Sequence, residues 1–350
     1  MSTHRIGLIG CGGIAGAWIR AVAEHDECQI DWAFDLDAEA ATRRAEEVSG
    51  QAITDLDKGL ASDVDLVVIG TPTSSHPTLV QQAATAGKHV MCEKPMALGL
   101  DDCRKMIDAC EAAGVQLAIG HSLRFWGAFL KTRKLIAEGA IGTPVSGSID
   151  RLGTAKAQAA EEVEPAADHW RNDPANTGGH ALEGFIHELD FTRSVFGDVA
   201  TVTCEIGEGR AVDGFVSPQI IQGVVGFENG AVVTTRTGST VGVPTRGYWI
   251  AGSEGGLRFD GWGGPVELYR RDAEDVELVE CEQVYAYHLE LKDLTDAIDG
   301  VYARPENDGA NGLANVSLGL ALYRAYETGS RVSFTDGVAD LPQGYRNLKY

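Results

Sequence analysis

The sequence predicts two domains: a doubly wound α/β domain first, then an α+β domain with a mostly antiparallel open sheet. Three observations carry this. The chain has 350 residues, enough for two cores at roughly 150 residues per domain. Short apolar runs alternate with amphipathic stretches through the first third, the pattern of βαβ units around a parallel sheet. From about Gly127 the rhythm changes to strands joined by short turns. A boundary near residue 122 follows, giving domains over 1–122 and 123–350.

In the first domain, strands are read at Ile6–Ile9, Ile30–Phe34, Val64–Ile69, His89–Cys92 and Gln116–Ile119. Helical patterns lie between them, near Trp18–Glu24, Ala38–Val48, Pro77–Ala86 and Asp101–Ala113. In the second, a helix over Phe129–Glu138 leads to a strand at Val145–Arg151, and an Ala/Glu-rich stretch, Ala155–Ala167, reads as a mobile loop. Strands follow at Val202–Ile206, Gln219–Phe227, Ala231–Thr240, Tyr248–Ala251, Val266–Arg270 and Val276–Val279. Asn229-Gly230 favours a hairpin turn between the second and third of these. Helices at Leu289–Ile298 and Leu313–Thr328 are expected to pack back toward the first domain, with Tyr285 and Tyr287 as pocket candidates. Helices on one face of the second sheet leave the other to be covered. Val225, Phe227 and Val233 are read as facing outward there, as a self-association surface.

Composition narrows the partners. Twenty-nine basic against fifty-one acidic residues gives a net charge of −22, which repels phosphodiester backbones and argues against nucleic acid. The surplus reads either as plain solubility or as adaptation to a salt-rich cytosol. No apolar run reaches the length of a membrane span, and the start has neither the basic region nor the cleavage site of a secretory signal. Seven cysteines with no C-x-x-C pair suggest a reduced, cytoplasmic protein without a disulfide framework or zinc knuckle.

The first strand runs into Gly10-Cys11-Gly12-Gly13-Ile14-Ala15, a G-x-G-x-x-A turn that opens a helix. The first glycine permits the tight turn and the second lets backbone approach a pyrophosphate. The small last residue lets helix pack on strand. Free N–H groups and the helix dipole then hold phosphate. Asp35 follows the second strand, about twenty residues on, where a carboxylate can accept hydrogen bonds from the adenosine ribose. Together these mark a Rossmann dinucleotide-binding domain. Asp35 would repel a 2′-phosphate, and Leu36-Asp37-Ala38 supply no arginine to offset it, so NAD is favoured over NADP.

Ligands sit beyond the carboxyl ends of the strands in such a sheet. Two loops lie at such ends: Thr71-Pro72 leading to His76, and Glu93-Lys94-Pro95. His76 reads equally as a polar residue at a helix start or as a cofactor contact. Lys94, at a strand terminus beside a bound dinucleotide, reads as facing ligand. The glycine turn, Thr71-Pro72 with His76, and Glu93-Lys94-Pro95 resemble the glucose-fructose oxidoreductase/inositol dehydrogenase/MocA (Gfo/Idh/MocA) family, over nearly the whole chain. The resemblance implies a cis Lys94–Pro95 peptide that aims the lysine at nicotinamide ribose and substrate. It further implies dimers or tetramers built through the second sheet.

Later comes Thr177-Gly178-Gly179-His180-Ala181-Leu182-Glu183-Gly184-Phe185-Ile186-His187-Glu188-Leu189-Asp190, read as a largely buried helix. Glu183 and His187 are four apart on one face, with Asp190 three further along. The family pattern is an acid four residues before a histidine, matched here by Glu183 and His187, with Glu where many relatives have Asp. The acid either orients His187 or touches substrate directly. His180, replacing a frequent glycine, is a pocket candidate. A Glu-x-x-x-His pair can also suggest metal, but no second histidine stands at zinc spacing on that helix, so no metal is expected. The resemblance places Trp170 and Arg171 near the nicotinamide, against the plain reading of an interface aromatic beside a structural arginine. His121 and Arg124 follow the last strand of the first domain and are candidates for the interdomain cleft.

The expected activity is NAD-dependent oxidation of a hydroxyl of a sugar or cyclitol. His187 is the base, Glu183 orients it, and Lys94 stabilises the reacting oxygen. With no arginine cluster visible in the sequence, an uncharged polyol is favoured. The alternatives are a catalytically silent dinucleotide-dependent sensor, or an NAD-dependent glycoside hydrolase working by transient oxidation.

Overall fold

The computed structural model describes residues 4–153, 173–207, 210–212, 215–217, 220–238 and 244–350, and for 210–212 and 215–217 only the backbone. The expected Ala155–Ala167 loop, Trp170 and Arg171 lie outside the described residues. The chain divides into two compact units, Met1–Ser122 with Tyr285–Leu313, and Leu123–Val284 with Ala314–Tyr350.

The first unit is built on a six-stranded parallel sheet of order β3-β2-β1-β4-β5-β6. Its elements are β1 (His4–Ile9), α1 (Ala15–Ala23), β2 (Cys28–Phe34), α2 (Ala38–Glu47), β3 (Gln51–Ile53), α3 (Leu56–Leu60), β4 (Leu66–Ile69), α4 (His76–Thr85), β5 (His89–Glu93), α5 (Leu100–Ala113) and β6 (Leu117–Gly120). The central strands are buried along their length, so β4 reads Leu-Val-Val-Ile without alternation. Asp37 caps α2, its side chain accepting from Glu39 N and Ala40 N. Gly114 closes α5 in the left-handed region at φ 69°. Strand β3 and helix α3 escape the sequence reading because each is short and carries little periodicity.

Residues 285–313 belong to this unit rather than to a second domain running over 123–350. The cause is packing. Helix α10 (Ala286–Ile298) turns Leu291 and Leu294 into the cluster formed by Trp18, Ala21 and Val22 of α1. Tyr285 donates its hydroxyl to Ala17 O (2.9 Å), and Tyr287 meets Trp18 edge-on at 5.2 Å. Both tyrosines are therefore part of the α1–α10 packing.

The second unit holds a ten-stranded sheet of order β16-β15-β14-β13-β7-β12-β11-β8-β17-β18, all antiparallel except the β7·β12 pair. It starts with α6 (Gly127–Ala137), β7 (Pro144–Leu152), α7 (Pro174–Thr177), α8 (His180–Glu183), α9 (Ile186–Phe196) and β8 (Val199–Gly207). Next come β9 (Arg210–Val212) and β10 (Phe215–Ser217), which pair with each other as a separate two-stranded sheet. Strands β11 (Ile220–Phe227), β12 (Val232–Gly238), β13 (Thr245–Gly252), β14 (Gly255–Phe259), β15 (Val266–Arg270) and β16 (Glu277–Val279) continue the sheet. The remainder is α11 (Gly309–Thr328), whose first residues count with the first unit, then β17 (Val332–Thr335) and β18 (Val338–Ala339). The Asn229-Gly230 hairpin forms as expected, with Gly230 at φ 87°.

Helices α6 and α9 lie on one sheet face around a knot of rings. Phe129 meets Phe191, Tyr248 and Phe259 edge-on at 4.7–5.1 Å, and Tyr248 stacks on Phe259 at 4.6 Å. The expected outward face is inverted. Val225, Phe227 and Val233 are buried in this core, whereas Val224, Val232 and Trp249, of opposite parity, are exposed. A period of two fixes which residues share a face, but the choice of face depends on where the helices pack.

Candidate functional site

The first unit presents its candidate site at the carboxyl ends of the parallel strands. Gly10 sits at φ 95°, and a Cβ there would fall 2.7 Å from Gly70 C and 2.9 Å from Thr71 Cγ2. The fold itself therefore demands glycine at this position. Gly12 and Gly13 differ: a Cβ at either would meet nothing within 4 Å. Nothing among the described residues requires them to be glycine, and the open space over this backbone is what a pyrophosphate needs. Helix α1 begins here with Ile14 before it, without a side-chain cap and without an acidic residue in its first turn, so its dipole and N–H groups are left for an anion.

Asp35, just past β2, accepts from Cys11 N–H (2.7 Å) and from Asp37 N–H (2.9 Å). Those two bonds fix the carboxylate and leave acceptor sites over for ribose hydroxyls. Burial, reinforced by the Asp35 charge, pushes the Cys11 thiol up to about 12, so it stays protonated. One residue was missed by the sequence reading. Arg44 of α2 reaches back to donate to Gly12 O (3.1 Å) and Cys11 O (3.4 Å), and pairs with Glu47 (2.8 Å). It braces the turn from outside, and no local pattern in α2 announces it.

The loops after β4 and β5 are tied together. His76 is fully buried, its ring nitrogens 3.0 Å from Pro95 O and 2.9 Å from Thr71 O. It is a brace between the loops and not a cofactor contact, because both nitrogens are committed away from solvent. Thr71 Oγ1 accepts from Ser75 Oγ (2.8 Å), and Pro72 stands at the start of the same turn, half-buried. Glu93 is buried as well. It accepts from the Trp18 indole N–H (2.9 Å) and from Lys94 N–H (3.2 Å), which turns its carboxylate inward and leaves Lys94 as the half-buried member of the motif. The Lys94–Pro95 peptide is cis, as the resemblance implied. His121 is fully buried in this unit, its carbonyl accepting from Asn307 Nδ2 (3.1 Å). The ring is closed off from solvent.

The second unit carries Glu183 and His187, both half-buried. They do not share one continuous helix. Helix α8 ends at Glu183, and the N–H of Phe185 reaches five residues back to His180 O (3.1 Å) before α9 starts at Ile186. The single stripe through Glu183, His187 and Asp190 is therefore broken. Asp190 is fully buried and accepts from Arg124 Nε (2.6 Å), Arg124 Nη2 (2.8 Å) and Asn315 Nδ2 (2.6 Å). Arg124, expected to contact substrate, is consumed in this buried bidentate pair. His180 Nε2 lies 2.9 Å from Thr237 Oγ1. Burial, with the Arg151 charge second, lowers its pKa to about 4, so it is neutral near pH 7.

Beside this turn lies a cluster absent from the sequence reading. Arg151 Nη1 donates to Gly184 O (2.7 Å) and pairs with Glu188 Oε2 (3.0 Å), while Tyr248 donates its hydroxyl to Glu188 Oε1 (3.1 Å). Burial raises the Glu188 carboxyl above the ordinary range, against the pull of Arg151. Trp262 N–H completes the chain at Tyr248 Oη (3.3 Å). Among the described residues no group of three or more His, Cys, Asp or Glu could hold a metal ion, and no helix is long and apolar enough to cross a membrane. All seven cysteines are free.

Comparison with known proteins agrees over both units. The 1,5-anhydro-D-fructose reductase of Ensifer adhaerens is 29% identical over 341 residues, spanning 96% of this chain and 100% of the relative. The 2,7-anhydro-N-acetylneuraminate hydratase of Escherichia coli (strain K12) is 31% identical over 258 residues, spanning 73% and 67%. The crystal structure of aldose-aldose oxidoreductase from Caulobacter crescentus, complexed with glycerol, is 25% identical with a TM-score of 0.83, covering 95% of this chain and 100% of that one. Residues 4–121 match the oxidoreductase family, NAD-binding Rossmann fold, and residues 129–258 match the GFO/IDH/MocA C-terminal domain. The chain is thus an oxidoreductase with an NAD-binding domain, and it belongs to the Gfo/Idh/MocA family.

Proposed function

We propose that this protein is an NAD-dependent dehydrogenase that oxidises a hydroxyl of a sugar or cyclitol, with NAD preferred to NADP. The observation that carries the reading is the pairing, at one end of one sheet, of an open glycine turn with a lysine whose neighbours are locked. Glu93 is held by Trp18 and Pro95 O by His76, so the loop that carries Lys94 is fixed at the carboxyl ends of β4 and β5. The sugar-type names of the relatives support the substrate class. Asp35 supports NAD, since its carboxylate repels a 2′-phosphate.

The backbone at Gly12 and Gly13, with the first turn of α1, would hold the pyrophosphate, and Asp35 the adenosine ribose. Bound nicotinamide supplies the acceptor for the hydrogen and two electrons that leave carbon. Lys94 Nζ hydrogen-bonds the reacting oxygen and offsets its growing negative charge. His187 takes the hydroxyl proton, the role that imidazole fills most often in enzymes. Glu183 orients it. In the reductive direction the same two groups return proton and charge.

The test is NADH absorbance over a panel of sugars and inositols with NAD and NADP, repeated on Lys94→Ala and His187→Ala. Each variant is expected to lose about 10²- to 10⁴-fold in kcat/KM. Unchanged turnover in either removes its role, and an Asp35→Ser enzyme that still rejects NADP removes the cofactor argument. Tight NAD binding with no turnover on any substrate favours a sensor. The hydratase relative supports a second reading in which oxidation is transient, as it also is in an NAD-dependent glycoside hydrolase; product then forms without net NADH.

The free cysteines support a cytoplasmic setting, which fractionation of the source cells would test. Exposed Val224, Val232 and Trp249 support a homodimer or homotetramer through the open sheet face, and sedimentation velocity reports that mass directly.

A further inference from the structure

Strands β7 and β13 pair so that Arg151 stands directly opposite Arg246. Both guanidinium groups lie against one indole, Trp262, with their central carbons 5.3 Å and 5.0 Å from the ring centre. Like charges facing each other across an antiparallel pair are destabilising, and a fold with no use for them has an easy alternative in any neutral residue. Glu188 offsets one of the two charges, through Arg151. Arg246 is exposed and has no carboxylate within ion-pair distance among the described residues. In a chain with fifty-one acidic and twenty-nine basic residues, that is the less expected surrounding for an arginine. The pair also sits on the surface that carries the proposed chemistry. Arg151 donates to Gly184 O, in the turn between Glu183 and His187, and stands opposite Thr237, the partner of His180.

We propose that Arg246, with Arg151 beside it and Trp262 flanking both, is a carboxylate-binding subsite, and that the sugar or cyclitol this enzyme acts on is an acid of the uronate class. A guanidinium fork matches a carboxylate in two parallel hydrogen bonds, and the indole fixes the plane of the fork. Since Glu188 already takes one positive charge, the remainder suits a monoanion better than a phosphate dianion. A local positive field also answers a problem the whole molecule creates, because a net charge of −22 repels an anionic substrate at long range. The Arg151 charge also contributes, second to burial, to the lowered pKa of His180. This inference deepens the dehydrogenase reading and rests on it for the identity of the reaction.

The experiment has a binding arm and a turnover arm. Titration calorimetry on the NADH-loaded protein compares D-glucuronate and D-galacturonate with D-glucose, D-galactose and glucose 6-phosphate. The uronates are expected to bind at least tenfold tighter than the neutral sugars, with the gap shrinking as salt rises. Arg246→Gln should collapse that ratio toward one, and Arg246→Lys should leave an intermediate ratio, since lysine keeps the charge without the fork. Arg258→Gln serves as control. It loses the same charge from β14, where Arg258 lies near Asp260 and Glu267, and should keep the ratio. Equal affinity for acid and neutral sugars, no uronate binding, a preference for the phosphate, or an unchanged ratio in Arg246→Gln overturns the proposal. NADH formation separates the two readings. Uronate binding through Arg246 without turnover on any substrate leaves the subsite standing and sinks the dehydrogenase. Turnover of neutral sugars with no acid preference does the reverse.

Discussion

Asp35 and Glu188 are both carboxylates set beside a candidate site, and the molecule holds them by opposite means. Asp35 is fixed by two backbone N–H groups, one from the glycine turn and one from its own loop. Glu188 is fully buried and fixed chiefly by side chains, Arg151 on β7 and Tyr248 on β13, with its own backbone N–H contributing least. Backbone donors come with the turn and cost no side-chain ordering. Side-chain donors must be brought from distant parts of the chain and desolvated together. A carboxylate held by backbone can thus be found from local spacing, whereas one held by remote side chains becomes visible only once the strands are paired.

Three experiments would break or sharpen that contrast. Glu188→Ala strands Arg151 beside the core and should cost about 3–5 kcal/mol, read from urea unfolding. Glu188→Gln should cost less, and the pH dependence gives the sign. With the folded carboxyl raised above its unfolded value, wild type loses stability relative to the glutamine variant as pH climbs through the folded pKa. A gap that stays flat with pH means burial is not the dominant influence on Glu188.

His180 should have the next largest effect, at the acid end. Its pKa falls from 6.5 to about 4 on folding, so it contributes stability above pH 6.5 that is lost as pH drops toward 4. The loss is up to roughly 3 kcal/mol, and His180→Gln should flatten that limb of the stability curve. The smallest effect belongs to the backbone-built side. Gly12→Ala meets no protein neighbour and should leave the melting temperature within about 1–2 °C, while weakening NAD binding about tenfold by equilibrium titration. Gly10→Ala, aimed at Gly70 and at a positive φ, should instead destabilise the unit even without cofactor. If the two variants behave alike, the distinction between a glycine kept for the fold and one kept for the ligand fails.

The same contrast explains what could be read in advance. The parallel sheet, the glycine turn, Asp35 and the Glu93-Lys94-Pro95 loop are local patterns whose neighbours in sequence are neighbours in space. His76 and Arg124 were legible as polar residues at strand ends but not as braces. Their partners, Pro95 O for one and Asp190 for the other, are set by loop and helix packing. The helix over 180–190 was legible in period but not in its break, since Gly184 and Phe185 keep helical torsions while the hydrogen-bond ladder slips. Arg151 and Arg246 lie nearly a hundred positions apart, and only the β7·β13 register makes them a pair. The expectation of an uncharged polyol rested on seeing no arginine cluster in the sequence, where this pair is invisible.

The return of residues 285–313 to the first unit bears on how the chain is made. Trp18, Ala21 and Val22 are shielded by Leu291 and Leu294, which leave the ribosome long after them. At about 5–20 residues per second, a finished six-stranded sheet waits roughly ten to forty seconds for its last helix. During translation, then, the nascent N-terminal half carries an uncovered apolar stripe, and a truncated product ending near residue 122 would be expected to need a chaperone or to aggregate.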